Sequence, residues 1–190
     1  PALAPTLPPL PDPTQTNLLE AALPPGALPG FALDLPGSVR AGLQIARAPF
    51  DPQTGAPPAF TARLSDYPWT KTTATLFVFP VADYLYHRPQ DRAALEQVRV
   101  TINSLLADPA ARAALPNLVP AYTLGQTYLP QAGSFNDGVG LRAVAMLAPG
   151  DGNPTLRPHY AYWGFSADMQ YLLFAAFPAS LTLDQPARLS

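Results

Sequence analysis

The chain carries two histidines, no cysteine and seven serines among its 190 residues. Without cysteine there are no disulfides, thiolate metal sites or Cys nucleophiles. A zinc site usually takes three or four His, Cys or carboxylate ligands. His87 and His159 are far apart in sequence, so no metal is expected and each histidine is expected at a surface or rim. No serine sits in a Gly-x-Ser-x-Gly elbow. A Ser-His-Asp set is defined by geometry, so Ser166 with Asp168 and a distant histidine is the candidate. Ser and Asp both favour turns, and turn chemistry is the expected reading there. The 13 Asp and Glu are scattered, with no identifiable pair for glycoside hydrolysis. Asn136 to Gly140 and Asp151 to Asn153 lack the ligand alternation and closing Glu of a calcium loop. Gly138-x-Gly140 lacks the third glycine of a dinucleotide fingerprint. No catalytic residue, metal or cofactor is assigned. A hydrolase using His87 or His159 is a third-rank reading, and it requires a Ser, Asp or Glu within hydrogen-bond reach of either ring.

Aromatic side chains are the richest local feature. Tyr160, Tyr162, Trp163, Phe165, Tyr171, Phe174 and Phe177 crowd into one stretch. Tyr160 and Tyr162 share a strand face, and Tyr84 and Tyr86 are candidates to join them. An exposed Tyr and Trp stripe on a sheet binds a peptide, a glycan or a partner subunit. The competing reading is a two-layer core with Tyr hydroxyls at its rim. Lys and Arg total 11 against 13 acids, a net charge of −2. That balance lacks the positive footprint of a nucleic-acid binder. Nor does any apolar run reach the roughly 20 residues that span a bilayer as a helix.

The elements that must position these residues start with an arm. Ten of the 26 prolines fall in residues 1–36. Each fixes φ and removes a donor, so an extended, partly polyproline-like segment is expected. Thr16 to Leu23 is the exception, where Thr16 or Asn17 caps a helical turn or two. Leu7, Leu10, Leu18, Leu19 and Leu23 are the arm's expected partner contacts. The chain thus divides into an arm (1–36), a single domain (37–180) and a tail (181–190).

From Val39 apolar residues alternate to Ala46, then again from Phe60 to Leu64, which reads as an antiparallel hairpin. Ala74 to Phe79 is a strand covered on both faces. Between Pro89 and Ala107, Leu95, Val98, Ile102 and Leu105 form a helical stripe. Asp108-Pro109 opens a short helix over 109–115. Leu118 to Tyr128 is mixed, a loop with a short helix or strand as its alternatives, and Gly133 to Gly140 is loop. Leu141 to Leu147, Tyr160 to Phe165 and Tyr171 to Phe177 are strands, the last two joined by a turn at Ser166 to Met169. The last strand is apolar on both faces and should be central. The result is an α+β fold, an antiparallel sheet of five to six strands packed on one main helix.

The stretch from Val81 to Pro178 resembles bacterial exported proteins and lipoproteins of no established activity. The resemblance rests on Phe79-Pro80-Val81 with Asp83-Tyr84, on Leu115-Pro116-Asn117-Leu118-Val119-Pro120, and on Gly140-Leu141-Arg142. Tyr160-Ala161-Tyr162-Trp163-Gly164-Phe165 and the closing strand Tyr171 to Pro178 complete it. The pattern has Asp-Gly where this chain has Asp168-Met169. The resemblance implies export and an α+β fold, and it carries over no functional residue. A Pro-rich start without Met fits an exported chain as well. The expected function is a non-enzymatic envelope or secreted interaction protein, engaging a protein partner or its own copies through the arm. The alternative is a small-ligand or glycan-binding module that uses Tyr160, Tyr162, Trp163, Tyr84 and Tyr86.

Overall fold

A computed structural model describes residues 6–19, 43–65, 73–111, 115–116, 118, 122–135, 138–149 and 155–179. Seven strands form one antiparallel sheet: β1 (Leu43–Ala48), β2 (Ala59–Leu64), β3 (Ala74–Pro80), β4 (Tyr122–Phe135), β5 (Gly138–Pro149), β6 (Arg157–Phe165) and β7 (Tyr171–Pro178). Their spatial order is β1-β2-β3-β7-β6-β5-β4. Helices α1 (Val81–His87) and α2 (Arg92–Ala107) lie between β3 and β4, linked by a 3₁₀ turn at Pro89–Asp91. The fold is α+β and mostly sheet, with seven strands where five to six were expected.

The helical stripe forms because 3.6-residue periodicity aligns Leu95, Val98, Ile102 and Leu105 on one side. All four are buried against the sheet, in a cluster with Leu141, Leu147, Trp163, Phe165, Leu172 and Phe174. The opposite face of β1, β2, β3 and β7 holds a second cluster built on Phe60, Ala62, Leu76, Val78, Leu173 and Ala175. β7 is the middle strand of the seven and is dry on both faces. Two covered faces explain why its sequence is a continuous apolar run rather than an alternation.

The arm lies on its own domain. The Leu7 and Leu10 side chains enter the helix-side cluster, and Leu19 enters the opposite one. The arm therefore passes from one face of the sheet to the other. Polar contacts hold its backbone: Leu7 N–H donates to Asn103 Oδ1 at 2.8 Å, Arg99 Nη1 donates to Leu7 O at 2.9 Å, and Thr14 N–H donates to Ala82 O at 3.2 Å. Arg47 Nη1 donates to Leu19 O at 3.1 Å, and the Arg47 Cζ lies over the Phe60 ring, 5.7 Å from its centroid. Each buried leucine contributes about 2 kcal/mol. Prolines limit what the arm loses on ordering, since they have little unfolded freedom to give up.

Several expectations need correction. α1 was not foreseen; Val81, Tyr84 and Leu85 bury one side of it directly after Pro80 ends β3. Asp108 caps a turn, its Oδ1 accepting from Ala110 N–H at 3.0 Å, and no helix follows through Ala111. The expected loop at Gly133 to Gly140 belongs mostly to β4 and β5, which pair from Phe135 and Gly138 outward. Leu18 and Leu19 form a turn rather than helix, with Asn17 at φ 51° before it. The first half of the expected strand from Val39, residues 112–114 and Leu23 all lie outside the described residues.

Candidate binding site on the open sheet face

Strand alternation sets the site. On β6, His159, Ala161, Trp163 and Phe165 point to the helices, so Tyr160 and Tyr162 point the other way. Cross-strand register then places Gln131, Arg142, Tyr162 and Ala175 in one row across β4, β5, β6 and β7. The row continues through Leu76, Ala62 and Ile45, so it crosses all seven strands. Its β1 to β7 half belongs to the second core cluster. Tyr162 on β6 packs against that cluster, and over β4 to β6 the face opens into a cleft of about 420 Å³.

Tyr128, Val144, Tyr160 and Phe177 form the neighbouring row. The cleft is lined by Leu129, Gln131, Arg142, Val144, Tyr160, Tyr162 and Phe177, with Ala143 and Ala161 at its floor. Tyr160 is 62% exposed. Burial pushes the Tyr162 phenol up to about 12, so it stays protonated across the physiological range. Among the described residues Arg142 is the one charged residue in this lining, and its Nη2 donates to Gln131 Oε1 at 3.0 Å.

A third row, Gly133, Gly140 and Gly164, runs beside the cleft. The Tyr162 ring lies over two of these glycines: a Cβ built on Gly140 would come within 2.2 Å of its Cζ, and one on Gly164 within 2.5 Å of its Oη. Glycine is needed here because a backbone and a ring approach closely. The glycine pair sets where Tyr162 rests.

The edge strand β4 shapes the remaining wall. Its register with β5 shifts between Leu124 and Thr127, and again between Tyr128 and Gln131. Each shift inserts one extra residue, a β-bulge that bends the strand and re-aims side chains. At the second bulge Leu129 takes φ 53° and is 78% exposed. Pro130 follows it, which an edge strand tolerates because the missing donor faces no neighbour. Alternating-pattern reasoning gave β4 only as an alternative short strand because the bulges break its period of two.

The five aromatic residues expected to bind a ligand therefore separate. Tyr160 and Tyr162 share the cleft. Trp163 is on the helix face, 1% exposed, with its ring 5.4 Å from Phe174 in an edge contact. Tyr84 is in the same core, donating its hydroxyl to Asp91 Oδ2 at 2.8 Å, and burial drives its ionisation far upward. Tyr86 is exposed on α1, edge-on to His87. Register explains the separation, since neighbours on a strand face opposite ways. Gln131 was not singled out from sequence, and Arg142 figured there only in the Gly140-Leu141-Arg142 element, with no binding role.

His159 departs from the expected rim position, while His87 is half-buried. His159 is 6% exposed, and its Nδ1–H donates to Arg157 O at 2.9 Å. Loss of solvent holds its ionisation below the usual histidine range. His87 stacks on Phe50 at 3.9 Å, with Asp83 Oδ1 at 3.7 Å from its Nε2, beyond hydrogen-bond reach. Ser166 Oγ donates to Asp168 Oδ1 at 2.6 Å and accepts from Tyr171 N–H at 2.9 Å, as a turn requires. Among the described residues, no three His, Asp or Glu gather as a metal site would need. No helix of the described residues is long and apolar enough to cross a membrane. Compared with protein-family models, curated proteins and solved structures, the chain finds no match.

Proposed function

We propose that this protein is a non-enzymatic binding module whose site is the open-face cleft around Tyr160 and Tyr162. The observation that carries it is the pairing of an exposed Tyr160 with a cleft of about 420 Å³ on the sheet face away from the helices, where Tyr162 and Phe177 pack against the second core cluster and wall the cleft. That volume falls within the range of roughly 300–1,000 Å³ common to small-molecule sites. Rigid aromatic walls on paired strands make it largely preformed, which lowers the ordering cost of binding. The sequence resemblance adds an exported setting, in the envelope or outside the cell.

A second reading is a protein partner or another copy of the chain at the same end of the sheet. Exposed Tyr128, Leu129, Leu156 and Tyr160 favour it. Engagement of a partner through Leu7, Leu10 and Leu19 loses support, since those side chains are buried in this chain.

The test is NMR of the full chain titrated with soluble oligosaccharides and with small apolar solutes. Saturable shifts at Tyr160, Tyr162 and Val144, lost in Tyr160→Ala, are the expected result. Shifts confined to other faces, or none that saturate, overturn the reading. Concentration-dependent broadening of the same signals without ligand would favour self-association.

A further inference from the structure

We propose that the cleft recognises a straight-chain alkyl monocarboxylate, with Arg142 holding the carboxylate. This rests on the reading of the cleft as a ligand site and names the ligand class. Charge complementarity is the first ground. Among the described residues of the lining, Arg142 is the one charged side chain, and no acid among them accompanies it. A cation with no counter-charge at the end of an apolar surface favours a ligand of opposite form, with one negative end and an apolar body.

The placement of that cation is the second ground. Gln131, from the bulged edge strand, accepts from Nη2 of Arg142 at 3.0 Å. That bond restrains a long side chain that otherwise samples many rotamers. A guanidinium has five N–H donors in a planar fork that matches a carboxylate bidentately, so one bond to Gln131 leaves donors for a ligand.

The rest of the cleft selects the body. Val144 and Tyr160 pair across β5 and β6, and Tyr160 and Phe177 pair across β6 and β7. These surfaces lie one row along from Arg142, two residues or about 7 Å on a strand. An alkyl chain anchored at Arg142 runs over them, with Leu129 on the β4 side. One cation suits a monoanion. A phosphate dianion is usually met by several cationic donors or a helix N-terminus, and the described lining residues supply one cation and all sit on strands.

The experiment is calorimetric titration of the full chain with decanoate, decanol and decyl phosphate. Decanoate is expected to bind at least tenfold more tightly than decanol. Arg142→Met should remove that preference and leave decanol affinity within twofold. Arg142→Lys, which keeps charge without the fork, should retain part of it. Equal binding of decanol and decanoate by the natural chain overturns the carboxylate assignment but keeps the cleft as an apolar site. Tighter binding of decyl phosphate overturns it in favour of phosphate. No saturable binding of any of the three overturns it too; if oligosaccharides still shift Tyr160 and Tyr162, the ligand-site reading survives without it. Circular dichroism of each variant distinguishes lost recognition from lost folding.

Discussion

Asn103 clasps the peptide of Leu7 from both sides: its Oδ1 accepts from Leu7 N–H at 2.8 Å, and its Nδ2 donates to Leu7 O at the long limit of 3.5 Å. A side-chain amide thus does for the arm what a neighbouring strand would do, satisfying donor and acceptor together. Arg99 adds a charged donor to the same carbonyl and is itself held by Glu96. The pair joins the arm to the exposed flank of the very helix whose apolar stripe forms the core.

Replacing Asn103 by Ala should therefore destabilise the protein by about 1–2 kcal/mol, the cost of leaving a partly buried peptide N–H unpaired. Leu7→Ala should cost about 2–4 kcal/mol through a cavity in the core. Because both act on one contact, the double variant should cost less than the sum. Urea denaturation measures all three. Amide exchange should quicken at Leu7 and Thr14 in either single variant, and unchanged exchange there would show that the clasp does not hold the arm.

The Tyr162 ring and the Gly140–Gly164 pair form a second testable unit. Gly140→Ala places a methyl within 2.2 Å of Tyr162 Cζ, an impossible approach that the ring must vacate. Destabilisation of about 1–3 kcal/mol is expected for such overpacking. In a Tyr162→Ala background part of that penalty should disappear and part remain, because the same methyl comes within 2.6 Å of the Trp163 carbonyl oxygen. Tyrosine ring shifts in NMR should report the displacement, and an equal penalty in both backgrounds would place the strain elsewhere.

Leu129 holds φ 53° on the exposed second bulge of β4. A left-handed conformation costs a residue with a Cβ roughly 1 kcal/mol, and glycine avoids that cost. Leu129→Gly should therefore stabilise the fold modestly or leave it unchanged, despite removing a large apolar side chain. It should also weaken any ligand of the cleft, which Leu129 borders. A stability loss above about 1 kcal/mol would show that the leucine packs more than its exposure implies.

Buried His159 predicts a pH dependence with a defined sign. Its folded ionisation lies below the usual 6.5, chiefly through loss of solvent, with Arg157 adding repulsion. The folded state thus binds a proton less readily than the unfolded one. Stability from this group is fully present above about 6.5 and is lost as pH falls through the folded value, at no more than about 1.4 kcal/mol per unit. His159→Asn keeps a donor for Arg157 O and cannot titrate, so its urea midpoint should fall less between pH 7 and pH 5. Parallel curves for the two chains would refute the assignment.

Much of the fold was legible because its signals are local. The stripe from Leu95 to Leu105 requires only 3.6-residue periodicity, and the doubly apolar run from Tyr171 to Phe177 requires only two covered faces. The β6–β7 turn was readable from Ser166 and Asp168, which cap it through their own side chains. Met169 was less so: it takes φ 58°, where a glycine would be at ease, yet its side chain is buried in the helix-side core. β4 was legible only as an alternative short strand before Tyr128 because two bulges spoil its alternation, and α1 escaped notice because a helix of 7 residues gives little periodicity to read.

By itself the sequence determined the absence of thiol chemistry, the Pro-rich character of the arm, the main helix and which residues of β6 share a face. Those properties depend on residue type or on neighbours along the chain. Tertiary structure alone decided that Trp163 and Tyr84 are core, that Tyr160 and Tyr162 border a cleft with Arg142, and that Leu7, Leu10 and Leu19 are buried against their own domain. Each depends on which distant segment pairs or packs with which. Register and burial are set by the combined packing of all seven strands and two helices, and no short window of sequence contains that information.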